Sequence, residues 1–77
     1  MKAYEEVIDF IASGPSSDSV LSFQASEKTK EYVRLLVQKE KDKALSAEEA
    51  SELGYYMQLE HIMRLAKAKA RLHLSHG

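Results

Sequence analysis

The stretch that decides the fold is SAEEASELGYYMQLEHIMRLAKAKARLHL, Ser46 to Leu74. It opens on a capping box. The Ser46 hydroxyl is placed to accept from the Glu49 amide, and the Glu49 carboxylate to accept from the Ser46 amide. Leu45 before the cap and Ala50 at the fourth helical position make a hydrophobic staple, weak because one partner is alanine. No proline follows. The one glycine, Gly54, costs about 1 kcal/mol against alanine and does not end a helix. The spacing predicts one helix over about 47–73, roughly 40 Å long at 1.5 Å per residue.

That helix has two apolar faces. Tyr55, Tyr56, Leu59, Ile62, Met63, Ala66, Ala70 and Leu74 fall in one broad stripe. Roughly opposite lie Ala50, Gly54, His61, Leu65, Ala68 and Leu72, flanked by Leu53 and Met57. A surface helix needs one apolar face; two imply cover on both sides. Glu49, Glu60, Arg64, Lys67 and Arg71 fill the remaining wedge, which meets water or a charged partner. A compact chain of 77 residues is only about 30 Å across. The helix is therefore expected to overhang its own body from about Arg64 to Leu74. Either another chain covers that end, or the first segment folds over it, or its last turns fray.

Upstream, Tyr4, Val7, Ile8 and Ile11 recur at i, i+3, i+4, i+7, which predicts a helix over about 2–12. Ser13-Gly14-Pro15 ends it. Ser16 to Ser19 is rich in capping oxygens, and Val20, Leu21 and Phe23 follow. This predicts a short helical turn near 17–23, with a packed loop as the other reading. Ser26 caps a third helix over about 27–43, striped by Tyr32, Val33, Leu36 and Val37. The fold expected is all-α: one domain over 1–77, a small bundle of three main helices with a long, overhanging last one.

Composition narrows the function. There is no cysteine, so no disulfide framework and no thiolate ligand or nucleophile. No run approaches 18 apolar residues, and Glu5, Glu6 and Asp9 break any leader pattern; the expected location is cytoplasmic. The net charge of -1 hides a split. Residues 1–63 carry 7 basic and 12 acidic side chains, while Arg64, Lys67, Lys69 and Arg71 follow with no acid. Arg64, Lys67 and Arg71 share a face and can meet phosphate or an acidic protein surface, or can simply be solvated at a helix C-terminus. No aromatic residue is interleaved for base stacking.

Chemistry-bearing patterns are missing. Gln58 stands where a Glu-x-x-His motif needs its acid ahead of His61. His73 and His76 are an i, i+3 pair with no third ligand. Gly14-Pro15-Ser16-Ser17 is a turn and not a phosphate loop. No nucleophile elbow is present. Glu48, Glu49 and Glu52 in the first turns would repel phosphate from a reading helix. No catalytic residue, metal or cofactor is assigned, and no enzyme, membrane partner or small-molecule substrate is expected.

The Leu45–Leu53 cap region, the run Gln58–Ala70, and Phe23-Gln24-Ala25-Ser26-Glu27 ahead of the middle helix together carry a resemblance. The chain resembles a group of short bacterial helical proteins, often the small partner in two-gene toxin–antitoxin-like pairs, some with an HNH-type nuclease. The resemblance covers most of the chain, and its motifs are structural. It implies neutralisation by binding, with the long helix lying in a groove of the partner. On the residues, Tyr56, Leu59 and Met63 supply one row of anchors, and Leu65, Ala68 and Leu72 another. Self-association through the same helix, a nucleic-acid accessory using the basic strip, and a structural subunit of a larger assembly are the other readings.

Overall fold

The computed structural model describes residues 2–76, and side chains as far as Ser75. The described residues are all-α, with four helices among them: α1 (Glu5–Ala12), α2 (Ser17–Ser22), α3 (Glu27–Lys41) and α4 (Ala47–His76). The first helix begins at Glu5 and not near Lys2, because Ala3 and Tyr4 form a turn that enters it.

The boundaries follow local chemistry. Ser16, Ser26 and Ser46 each accept a hydrogen bond from the amide three residues on, at 3.2, 3.2 and 3.0 Å. At Ser46 the return bond also forms, its amide donating to Glu49 Oε1 at 3.1 Å. The capping box is complete, which is why α4 starts where it does. α1 and α3 end alike. Gly14 stands at φ 67° after α1, and Lys43 at φ 57° after α3. After α3 the Lys43 amide donates to Glu40 O and the Ala44 amide to Lys39 O, a full Schellman closure. After α1 only the Gly14 bond to Ile11 O forms, since Pro15 has no amide to give.

α2 and α3 pack against α4. The core gathers Ala3, Val7, Tyr56 and Met63, with Phe10, Val20, Phe23, Tyr32, Val33 and Leu59 against them. Phe10 stacks on Phe23 with centroids 4.3 Å apart, which locks α1 to the α2–α3 link. Polar ties close the same seams. The Ser26 amide donates to Glu6 Oε1 at 2.6 Å. Lys67 Nζ donates to the Phe23 carbonyl at 2.9 Å.

The molecule measures 48 × 20 × 19 Å with a radius of gyration of 14.3 Å, against about 11.5 Å for a compact chain of this length. α4 alone, with 30 residues, spans about 45 Å and sets the long axis. The overhang is shorter than its length suggested. Met63 and Ala70 are buried and Ala66 and Lys67 half-buried, so the inner face is covered to Ala70. The cover comes mainly from α2 and the link after it, and not from α1 alone, because Phe23 and its carbonyl reach α4 one turn before Ala70. Among the described residues of α4, the run 71–75 is exposed on every side.

Candidate interaction surface

The two apolar rows of α4 have opposite fates. Tyr56 and Met63 are buried in the chain's own core and Leu59 is half-buried beside them. That row is spent on folding, because α1 and the α2–α3 link already fill the space above it. Tyr56, Leu59 and Met63 are therefore corrected from anchors to core. Leu65 and Leu72 lie outside, 59% and 54% exposed, and Ala68 between them is exposed too.

These three belong to a longer strip. Ala50, Gly54, Met57, Gln58, His61, Leu65, Ala68 and Leu72 are all exposed and run along the outer side of α4. None carries a formal charge, in a chain that is 30% charged. Scattered exposed apolar residues are ordinary; a continuous uncharged strip is not. Gln58 joins the strip to a flank formed by Tyr55, Ile62 and Ile8. Tyr55 and Ile62 were grouped by periodicity with the inner stripe, yet they are exposed. They sit about 100° from the line of Tyr56 and Met63 on the wheel, beyond the reach of α2 and α3. Met57, Gln58, His61 and Ile62 surround a shallow hollow on the outer face.

The basic strip is divided. Arg64, Lys69 and Arg71 are exposed. Lys67 is half-buried and tied to the Phe23 carbonyl, so it serves the fold. Arg64, Lys67 and Lys30 also line a groove of about 420 Å³ below Phe23, Gln24 and Ala25, whose floor is Tyr56, Glu60 and Met63. Burial first, then the Glu60 carboxylate, pushes the Tyr56 phenol up to about 12.

One polar feature escaped the sequence reading. Glu52 is only 4% exposed. Its Oε2 accepts from the Ala3 amide at 2.8 Å and its Oε1 from the Tyr32 hydroxyl at 2.9 Å. It joins the N-terminal turn, α3 and α4 at one carboxylate. The bond to Glu52 holds the Tyr32 phenol above its usual range. Around it Lys2 pairs with Glu48 at 3.1 Å and Lys39 with Glu49 at 2.7 Å. The Lys39 bond and the Ser46 amide hold the Glu49 carboxyl below its usual range.

Among the described residues no cluster of three or more His, Asp or Glu is arranged to hold a metal ion. His61 and His73 are exposed, and the side chain of His76 lies outside the described residues. No described helix is long and apolar enough to cross a membrane. Comparison with protein-family models, curated proteins and solved structures finds no match.

Proposed function

We propose that this chain is a non-enzymatic protein-interaction module, antitoxin-like, that binds and neutralises a protein partner through the outer strip of α4. The observation that supports it most is the uncharged strip from Ala50 to Leu72, left uncovered by α1, α2 and α3. Helix-in-groove recognition uses anchors one turn apart on a single face. Leu65, Ala68 and Leu72 meet that need with side chains the fold does not use, and Met57 and His61 extend the row. The direct test is co-expression with the product of the adjacent gene. The chain should copurify with it and relieve any toxicity; Leu65→Asp with Leu72→Asp should abolish both. Unchanged rescue by that variant would overturn the assignment of the face.

A second reading rests on the cations of the last turns. Arg64, Lys69 and Arg71 are exposed with no acid after Glu60, which suits an accessory contact with nucleic acid. It predicts binding that weakens steeply with salt and with alanine at these three positions. No binding to a mixed duplex or single strand at low salt would remove it.

A further inference from the structure

The groove beneath the α2–α3 link gathers positive charge that the fold does not neutralise. Lys30, Arg64 and Lys67 line it, and Glu60 is the one acid among its residues. On the wheel it lies about 120° around α4 from the middle of the outer strip, and no strip residue lines it. Its charge therefore needs an account of its own.

The partners of its cations supply one. Among the described residues three lysines are half-buried: Lys2, Lys30 and Lys67. Lys2 meets the Glu48 carboxylate at 3.1 Å. Lys67 donates instead to a neutral acceptor, the Phe23 carbonyl, and an ammonium has two further N–H groups to give. Lys30 donates to the Gln24 amide oxygen at 3.3 Å, and its nearest acid, Glu27, stands 3.5 Å away on an exposed side chain. Arg64 has no carboxylate at ion-pair distance among the described residues. The Glu60 carboxylate bears on the Tyr56 phenol. A cation partly withdrawn from water and facing no opposite charge attracts an anion more strongly than one in open solvent.

Size and charge select the anion. Three bases and one acid leave the lining at a net +2. A phosphate monoester carries about −1.5 to −2 at pH 7 and matches it; a carboxylate or a phosphodiester brings half as much. The guanidinium of Arg64 suits two phosphate oxygens at once. At about 420 Å³ the groove falls within the roughly 300–1,000 Å³ of small-molecule sites, which leaves room for more than the phosphate. Half-buried Phe23 and Ala25 form an apolar wall, and Met63 lies in the floor.

We propose that this groove binds a phosphate monoester on an apolar stem, the phosphate among Lys30, Arg64 and Lys67 and the stem against Phe23 and Met63. The proposal stands independently of the outer strip and its partner.

The methionine methyls report on it. Met63 lines the groove and Met57 the hollow on the outer face, so methyl spectra of the methionine-labelled chain carry a reporter and a control. Phenyl phosphate titrated to about 10 mM at low salt should shift Met63, leave Met57 in place, and saturate with a Kd on the order of 1 mM. Phenol and benzoate should bind at least about fivefold more weakly. Arg64→Gln, at an exposed position, should weaken phenyl phosphate about fivefold, and Lys69→Gln, off the groove, less than about twofold. Glu60→Gln removes the competing acid and should tighten binding about threefold. A phosphotyrosine pentapeptide separates the sources of the group. A gain of about fivefold or more over phenyl phosphate assigns it to a protein side chain, and a smaller gain assigns it to a free small molecule. A still Met63 signal at about 10 mM ligand, equal shifts at Met57, phenol or benzoate binding as tightly, or an Arg64→Gln chain that binds unchanged overturns the proposal.

Discussion

Replacing Glu52 by alanine removes the one acceptor shared by the N-terminal turn and α3. The Ala3 amide and the Tyr32 hydroxyl donate to it at 2.8 and 2.9 Å, in a site only 4% exposed. Hydrogen bonds to a charged group contribute about 1.5–3 kcal/mol each, so the pair amounts to roughly 3–6 kcal/mol. Returning a buried carboxylate's desolvation cost offsets part of that. A net loss of about 2–4 kcal/mol is expected, because the buried Ala3 amide is left without an acceptor. A core this small rarely supplies more than about 3–5 kcal/mol. Glu52→Ala should therefore keep only about 1 kcal/mol, with roughly a sixth of the chains unfolded at room temperature. Urea denaturation followed by far-UV circular dichroism measures it. Protein concentration must be fixed, since association adds stability by mass action. Glu48→Ala is the control: its Lys2 pair is exposed, and its loss should stay within about 0.5 kcal/mol. Tyr32→Phe should cost about 1–2 kcal/mol and couple to Glu52→Gln in a double-mutant cycle. A Glu52→Ala chain within about 0.5 kcal/mol of the native one would refute the shared-carboxylate account.

Three further outcomes follow from single observations. Lys43 holds a left-handed φ of 57° at the position where glycine usually closes a Schellman motif, so Lys43→Gly should stabilise by about 0.5–1 kcal/mol in the same urea assay. Ser46→Ala removes the hydroxyl arm of the capping box; a loss of about 1 kcal/mol, with early amide exchange confined to the first turn of α4, is expected. The Tyr56 phenol is held near 12 in the folded chain against an ordinary 10. From pH 10 to 12 the unfolded chain ionises first, so stability is complete below that window and falls across it by at most about 2.5 kcal/mol. Tyr56→Phe should remove most of that fall, leaving the smaller one from Tyr32, whose phenol is shifted the same way.

Caps and periodicity read true where they act locally. Ser26 and Ser46 fix the starts of α3 and α4 through bonds three residues long, and Gly14-Pro15 fixes the end of α1; each was legible because both partners lie in one short window. Lys43 was not, since nothing in its side chain advertises a left-handed backbone. Glu52 was not legible for a different reason. It shares its helix with Glu48, Glu49 and Glu60, and only tertiary packing brings Ala3 and Tyr32 to it and not to them. The inner row was misread for the same cause. A wheel can say that Tyr56 and Met63 share a face, and Leu65 and Leu72 another, but not which face the rest of the chain will cover. The choice was made by Phe23, whose stacking on Phe10 lays the α2–α3 link along Met63 and Lys67.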